Sequence, residues 1–135
     1  MEKIEVYINW CRQNYSGSYS ENVPGGVAFT GSTYEEMLRK AHTTLDFHLQ
    51  GYAEDGEAPQ WFLDKDYVLE FHPSVSALLH AYGADVTLSA ISRETGINQR
   101  QLSHYANGIK NPRPAQRQRI IDGIHSIGRR LMAVV

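Results

Sequence analysis

Polar side chains that can contact nucleic acid are concentrated in one short stretch near the end of the chain. They are carried by Asn98, Gln99, Arg100, Ser103, His104, Asn107, Lys110 and Arg113. In the major groove of DNA, amides pair with adenine edges and guanidinium groups with guanine edges, whereas other cationic and hydroxyl groups contact phosphates. We therefore expect Gln99 and Arg100 to contact bases, and Lys110 and Arg113 to contact phosphates.

Two helices joined by a tight turn are predicted to position these side chains. Thr87 is a good N-cap for a first helix through residue 95, and Gly96 supplies the positive φ that a tight turn requires. The second helix is predicted over residues 99–107, with Asn98 as its N-cap, a role that would by itself account for that residue. Gly108 then ends the second helix and leads into the loop that carries Lys110 and Arg113.

The apolar positions of the same stretch agree with two packed helices. One interface is expected from residues on both helices and in the turn, namely Ile91, Thr95, Ile97, Leu102 and Tyr105. Small Ser92 would let the helices approach closely. This pattern predicts a helix-turn-helix, although helix-glycine-helix sequences also occur in proteins that never touch DNA.

The net charge of −2 conceals two halves of opposite sign. Residues 1–85 contain five Lys/Arg against thirteen Asp/Glu, a net charge of −8, whereas residues 86–135 contain eight against two, a net charge of +6. A basic domain is the usual electrostatic signature of binding to a phosphate backbone. A solvated face with no partner explains most charge runs, but a charge split of this size within one short chain favours the first interpretation.

The last helix is predicted to follow Pro114 and to carry one apolar ridge. Ile120, Ile124, Ile127 and Leu131 recur at spacings of four, three and four residues. Such a ridge most simply completes the core of its own domain. A second role at a dimer interface is also expected, because proteins that bind two-fold operators usually do so as homodimers or higher homo-oligomers.

The first half reads as strands followed by a helix. Residues 4–10 alternate apolar and polar side chains, residues 15–22 form a weaker segment, and β-forming residues resume at 27–30 after the turn Pro24-Gly25-Gly26, which together predict a three-stranded antiparallel meander. Thr33 and Glu36 have the spacing of a capping box. The helix they begin is predicted to end at Gly51, with the apolar stripe Met37, Leu38, Ala41, Leu45, His48 and Leu49.

Two further segments complete this half and set the domain boundary. Residues 51–66 are acidic and rich in turn-forming residues, so a long loop with an aromatic anchor at residues 61–63 is predicted. Residues 67–72 have the β-propensity of a fourth strand and end at Pro73. We predict an α+β chain with a β-β-β-α-β domain over residues 1–72 and an all-α domain over residues 73–135.

Both halves resemble known families. Through Leu102-Ser103-x-Tyr105-x-Asn107-Gly108, the second half resembles the Cro/CI-type (XRE) helix-turn-helix family over nearly all its length. The run from Ser18 to Leu38, with its Pro-Gly hairpin and Gly-x-Thr-capped helix, is similar to the N-terminal domain of HicB antitoxins, which is a partial RNase H-like fold. One departure is Gly26, which stands where that family often has Cys.

The resemblance implies a function with two partners. HicB antitoxins bind HicA toxins, which are small basic ribonucleases, and repress their own operon through the DNA-binding domain. This would make the chain an antitoxin and autoregulatory transcription repressor that needs no cofactor and is no enzyme. An acidic domain suits capture of a basic toxin. Tyr15, Tyr19 and Trp61 are candidate toxin contacts because exposed aromatics often anchor interfaces, with burial in the domain core as the alternative for each.

Enzyme and sensor functions are the alternatives to this interpretation. An RNase H-like nuclease needs several converging carboxylates, whereas Glu5, Glu70 and Asp46 are expected to be separate, solvated residues. The six histidines lack the paired spacing of a zinc site, so no metal is expected. Two alternatives remain open. A ligand-responsive regulator without a toxin partner would require an apolar pocket with a few convergent polar groups, and a residual nuclease would show Mg²⁺-dependent RNA cleavage by the purified chain.

The location of the chain is expected to be cytoplasmic. Residues 1–5 lack the basic start and apolar run of a secretory signal, and the single Cys11 cannot form an internal disulfide. No stretch approaches the roughly 20 consecutive apolar residues that span a bilayer, so no membrane partner is expected.

Overall fold

The alternation at the start of the chain forms a long strand with one buried face. A computed structural model describes residues 1–135, and in it β1 (Glu2–Cys11) directs Ile4, Val6 and Ile8 into a core. β1 pairs antiparallel with β2 (Asn14–Tyr19), which pairs antiparallel with β3 (Ala28–Gly31). The predicted meander is confirmed, although its second strand ends at Tyr19 and not at residue 22.

Helix α1 (Tyr34–Glu54) covers the buried face of this sheet. The Thr33 hydroxyl accepts a hydrogen bond from the Glu36 amide at 3.1 Å, as the capping spacing predicts, and the Glu36 carboxylate reaches back to the Ser32 amide at 3.0 Å. The predicted end at Gly51 is wrong. A glycine inside a helix costs only about 1 kcal/mol, and packing of Tyr52 against the core favours continuing the helix past it.

The segment predicted to be a long loop contains a short helix, α2 (Gln60–Leu63). Trp61 and Phe62 from α2 pack with Tyr67 against the core, with ring centroids 5.3 and 6.4 Å from that of Tyr67. Local propensity does not reveal such a helix, because it has only four residues and depends on tertiary packing.

The predicted fourth strand is confirmed as β4 (Tyr67–Pro73), which pairs parallel with β1 so that Ile4 lies beside Leu69. The strand order is β3-β2-β1-β4, which leaves β4 at one edge of a mixed four-stranded sheet. The side chains of α1 that face the sheet are fully buried, and they are Met37, Ala41, Leu45 and Leu49. No helix of the chain combines the length and the apolar character needed to cross a bilayer.

The chain divides into a sheet unit (Met1–Ser74) and a helical unit (Val75–Val135), two residues beyond the predicted boundary. The helical unit contains α3 (Val75–Ala81), α4 (Leu88–Thr95), α5 (Gln99–Ala106) and α6 (Pro114–Met132). With six helices and one mixed sheet, the α+β class is confirmed. By residue counts, the sheet unit has a net charge of −7 and the helical unit a net charge of +5.

The core of the helical unit is built from the predicted apolar positions and from α3. Ile91, Ile97, Leu102 and Tyr105 are buried together with Ile120. Thr95 is half-buried. The apolar ridge of α6 is shorter than predicted, because Leu131 is 64% exposed and lies beyond the last turn that packs on the core.

Candidate nucleic-acid interface

The turn between α4 and α5 is held by backbone and side-chain hydrogen bonds. Gly96 has a φ of 76°, the left-handed conformation expected from the sequence, and its amide donates to the Ser92 carbonyl at 2.8 Å. The Ser92 hydroxyl donates to the Ile97 carbonyl at 2.6 Å. Ser92 therefore not only lets the helices approach but also links α4 to Ile97 in the turn by a hydrogen bond.

Helix α6 braces the end of α4. The Arg119 guanidinium donates to the Thr95 carbonyl at 2.8 Å, which satisfies an acceptor that the end of the helix leaves open. Gly123 lies so close to Thr95 that a Cβ on the glycine would fall 2.4 Å from Cγ2 of the threonine. The Arg130 guanidinium also contacts the Glu94 carboxylate at 2.6 Å. These contacts fix α4 against α6 and limit movement of the turn.

Helix α5 is anchored on its inner side and at its C-terminal end. Leu102 is completely buried and Tyr105 is 4% exposed. The Ala106 carbonyl accepts from the Ser76 hydroxyl and from Nε2 of His80, each at 2.8 Å, so α3 holds the end of α5. A helix fixed in this way presents its outer side chains in a defined geometry, which is what readout of base edges requires.

The predicted contact residues lie on the outer side of α5 and in the loop that follows. Gln99, Ser103 and Asn107 follow one another at spacings of four residues, so they form one row, and Arg100 and His104 form the adjacent row. The fully exposed members of the predicted set are Asn98, Gln99, Arg100, Asn107, Lys110 and Arg113, and the half-buried members are Ser103 and His104.

Asn98 has a structural role in this arrangement. Its Oδ1 accepts a hydrogen bond from the Arg100 amide at 2.8 Å, which is the N-cap interaction considered for it from the sequence. Capping occupies the acceptor that a base contact would use. Among the residues at the start of α5, Gln99 and Arg100 are therefore the better placed for contact with DNA.

The loop after α5 folds back on the helix and carries cations. Gly108 has a φ of 72°, and the amide of Ile109 donates to the His104 carbonyl at 2.9 Å. Lys110 and Arg113 are exposed in this loop, and Arg113 is the N-cap residue of α6. The arrangement places two positive charges next to the outer rows of α5.

Three exposed residues near these rows were missed from the sequence. Gln101 lies in the first turn of α5, and its amide donates to the Tyr105 hydroxyl at 2.7 Å. Arg93 on α4 donates to the Ser89 hydroxyl at 3.0 Å. Ile109 is 66% exposed in the loop, immediately before Lys110. Counting every outward position of α5 and α4 would have found the first two, whereas nothing in local sequence marks Ile109 as exposed.

The three aromatic residues expected at a partner surface of the sheet unit are not exposed. Tyr15 is only 4% exposed, so its assignment as an exposed contact is wrong. The Tyr19 hydroxyl donates to the Ala41 carbonyl at 2.6 Å, and burial raises its pKa above the usual range. Tyr15 and Tyr19 lie two strand positions before and after Gly17, and both tyrosine side chains point towards α1. Trp61 is half-buried against the core.

The sheet unit also brings together three groups that the sequence analysis treated separately. Glu5, Glu70 and His72 lie on the sheet face opposite α1, where Nε2 of His72 is 2.8 Å from a Glu70 oxygen and 3.4 Å from a Glu5 oxygen. Their ligand atoms all lie within 4.8 Å of one another, a spacing that could hold a metal ion. Lys3 already provides a cation 3.3 Å from Glu70 and, as the first cause, lowers the pKa of that carboxyl.

The cluster depends on strand register. Glu5 and Glu70 are direct neighbours across the parallel β1–β4 pair, and His72 follows Glu70 on the same face. The expectation that Glu5 and Glu70 face solvent is confirmed, since both carboxylates are about two-fifths exposed. Asp46 lies on α1, away from this cluster, and accepts a hydrogen bond from the Tyr67 hydroxyl at 3.2 Å. The RNase H-like arrangement of several converging carboxylates is therefore not assembled from these three residues.

Comparison with known proteins adds no relative. A scan against protein-family models, a search of curated proteins and a search of solved structures each found no match to this chain.

Proposed function

We propose that the chain binds a specific double-stranded DNA operator through α5 and the loop after it. The observation that carries this proposal is the pair of outward-facing polar rows on α5, a helix held at both ends by α3 and by the braced turn. The positive charge of the helical unit supports it, since neutralisation of phosphates supplies most of non-specific DNA affinity. Together these features match a helix-turn-helix reader of the XRE type.

In the proposed complex α5 lies in the major groove with its N-terminal end towards the bases. Gln99 is suited to an adenine and Arg100 to a guanine, and one good bidentate contact provides about 1–3 kcal/mol of discrimination against the wrong base. Lys110 and Arg113 contact phosphates and fix the position of the helix without reading sequence. A homodimer would place two copies of α5 on a two-fold operator.

We further propose that the sheet unit makes the chain an antitoxin of the HicB type. Support comes from the resemblance of residues 18–38 to that family and from a net charge of −7, which favours capture of a small basic ribonuclease. Toxin neutralisation and operator binding in one chain would let the antitoxin repress its own operon.

Operator binding is tested by fluorescence anisotropy with the DNA upstream of the gene itself. Gln99→Ala should weaken binding by about ten- to a hundredfold, the equivalent of about 1–3 kcal/mol. Arg39→Ala is the control, because Arg39 is exposed on α1 of the sheet unit and its loss should leave operator affinity nearly unchanged. Equal effects of the two substitutions would reject α5 as the reading element.

Toxin neutralisation is tested by co-expression of the full chain with the small basic protein encoded beside its gene. Formation of a stable complex that stops RNA cleavage is expected. Failure to bind, with operator binding intact, would leave a transcriptional regulator without a toxin partner.

One observation favours that second candidate. A groove of about 840 Å³ lies in the sheet unit, with apolar walls from Phe62, Leu63 and Leu69 and polar groups from His42 and Asp46. This is the kind of site that a ligand-responsive regulator requires. Native mass spectrometry of the purified full chain would support that candidate by detecting a bound small molecule whose removal changes operator affinity.

A further inference from the structure

The edge strand β4 has backbone hydrogen-bonding groups that point away from the sheet. The Glu2 amide donates to the Asp66 carbonyl and the Ser74 amide to the Ile8 carbonyl, which shows that even-numbered residues of β4 bond to β1. In a parallel ladder the alternate residues point the other way. The amides and carbonyls of Tyr67, Leu69 and Phe71 therefore face the open edge, where a further strand could pair with them.

The groove of about 840 Å³ runs beside this same edge. One wall is α1, through residues at spacings of four and three, and the other walls are α2 and β4. The lining residues on α1 are His42, Asp46, Gln50 and Ala53, and those on the other walls are Phe62, Leu63, Lys65, Tyr67, Val68 and Leu69. Leu63 and Val68 are 53% and 47% exposed, so the apolar surface reaches the rim.

The chain segment that supplies much of the groove wall is acidic in composition, and of its charged residues Asp46 and Lys65 line the groove. Residues 46–66 contain six Asp/Glu, which are Asp46, Glu54, Asp55, Glu57, Asp64 and Asp66, against a single cation, Lys65. Asp46 lies in the groove itself, where its carboxylate accepts from the Tyr67 hydroxyl across from β4. Burial, followed by the nearby Asp46 carboxylate, raises the pKa of Tyr67.

We propose that an extended, basic segment of a partner protein adds to β4 as a fifth strand. Its backbone would pair with Tyr67, Leu69 and Phe71, its apolar side chains would enter the groove, and its Lys or Arg side chains would meet Asp46 and the other carboxylates of residues 46–66. Strand addition of this kind takes affinity from the main chain and specificity from pockets for alternate side chains. A polypeptide fits better than a small ligand because the free strand edge beside the groove offers a row of main-chain hydrogen-bonding groups.

The identity of the partner as a toxin rests on the proposed antitoxin function, but the surface does not. The test therefore uses the full chain and defined probes, which are a labelled short peptide of alternating lysine and valine, its glutamate–valine counterpart, and a lysine–valine peptide with central prolines. Binding is followed by fluorescence anisotropy, and the site by hydrogen exchange at the Leu69 and Phe71 amides.

The lysine–valine peptide is expected to bind and to slow exchange at both amides, whereas the other two peptides bind much more weakly. Asp46→Lys should weaken binding by about tenfold or more, since close charge pairs across interfaces contribute at least that much. Glu35→Lys is the matched control, because it makes the same charge change on α1 about 16 Å closer to the N-terminus of the helix. Lys65→Glu should have the opposite effect and tighten binding.

Several results would overturn the proposal. The groove would be rejected as the site if the acidic peptide bound as tightly as the basic one. The same conclusion would follow if neither Asp46→Lys nor Lys65→Glu changed the affinity, or if the peptide slowed exchange only at other residues. If protection of the Leu69 and Phe71 amides from exchange increased with protein concentration in the absence of peptide, the edge would be assigned to a second copy of the chain. A bound small molecule that blocks the peptide would assign the groove to a ligand.

The surface and the antitoxin function can fail separately. If the neighbouring basic protein binds the full chain but Asp46→Lys and Lys65→Glu leave its affinity unchanged, the antitoxin function stands and the β4 surface is wrong. If that protein does not bind although the basic peptide does, the surface stands and the toxin assignment is wrong.

Discussion

The two units of the chain present their candidate surfaces in different ways. In the helical unit the proposed DNA contacts all lie within residues 98–113, on one short helix with its caps and in the loop after it, and they depend on the core behind that helix. In the sheet unit the proposed partner surface joins side chains from α1, α2 and β4 with the main chain of an edge strand. Changing a single side chain should therefore alter the affinity of the helix surface strongly. The affinity of the strand-edge surface should depend less on any one side chain, because the backbone supplies part of it.

The largest effect should come from removing the support behind α5. Leu102→Ala is expected to lower the free energy of unfolding of the helical unit by about 2–5 kcal/mol, because Leu102 is completely buried and truncation leaves a cavity. Hydrogen exchange should show faster opening of α4–α6. Leu131→Ala is the control, since that leucine is 64% exposed and surface changes cost little. Equal losses for both leucines would contradict the described core.

A smaller effect is expected where α4 and α6 approach most closely. Gly123→Ala should destabilise the unit by about 1–3 kcal/mol, because the added methyl group would overlap Cγ2 of Thr95. Gly128→Ala on the same helix has nothing within 4 Å and should stabilise by up to about 1 kcal/mol through helix propensity. Chemical denaturation gives both values.

Adding Thr95→Ser to Gly123→Ala sharpens this test. The serine keeps the hydroxyl that donates to the Ile91 carbonyl at 2.7 Å but lacks the methyl group that the new Cβ would meet. Partial recovery of stability in the double variant is expected. Without recovery, steric overlap at Thr95 would not be the cause.

Base and phosphate contacts on the proposed DNA surface should separate by salt dependence. Arg100→Ala is expected to cost about 1–3 kcal/mol on the operator and little on unrelated DNA, because Arg100 is assigned to a base. Lys110→Ala should weaken binding to both DNAs and lower the salt slope by about one counterion. Anisotropy titrations at several salt concentrations distinguish the two patterns, and loss of affinity for unrelated DNA in Arg100→Ala would reassign that residue to the backbone.

The smallest effect concerns the cap of α1 and its dependence on pH. The Ser32 amide, followed by Lys40 and the Ser32 hydroxyl, lowers the pKa of Glu36 from 4.5 to about 2. A lowered pKa in the folded state gives stability above the ordinary value, and this stability disappears as the pH falls towards 2. The difference in unfolding free energy between the natural chain and Glu36→Gln should therefore shrink on acidification.

Denaturation curves at several pH values check this expectation. Glu35→Gln, one residue earlier in the same turn, is the control because Glu35 does not receive the hydrogen bond from Ser32. A difference for Glu36→Gln that stays constant down to about pH 2 would mean that its carboxylate does not stabilise the cap.

Local signals explain why most helices and strands could be predicted. Thr33, Thr87 and Gly96 act within a few residues of their own positions, and the structure places each in the predicted cap or turn. The alternation of Ile4 with its neighbours also determines the buried face of β1. Predictions failed where packing overrides a local signal, as at Gly51 inside α1 and in the short helix α2.

Features that depend on strand pairing could not be predicted from the same signals. The approach of Glu5 to Glu70 follows from the parallel register of β1 and β4, and residue types alone do not fix that register. The burial of Tyr15 follows from the β1–β2 register in the same way. The groove beside β4 requires the position of α2, so its walls could not be recognised as a site from the sequence.

The side chains of Gln99 and Arg100 project from a helix whose stability comes from Leu102, Tyr105 and the carbonyl held by Ser76 and His80. Neither of the two outer side chains makes a hydrogen bond or ion pair within the chain. Substitution there should change the free energy of unfolding by no more than about 0.5 kcal/mol. If α5 reads an operator as proposed, duplicated copies of the gene could therefore diverge in operator preference through single mutations, and coexist in one genome without cross-repression, while keeping the same fold.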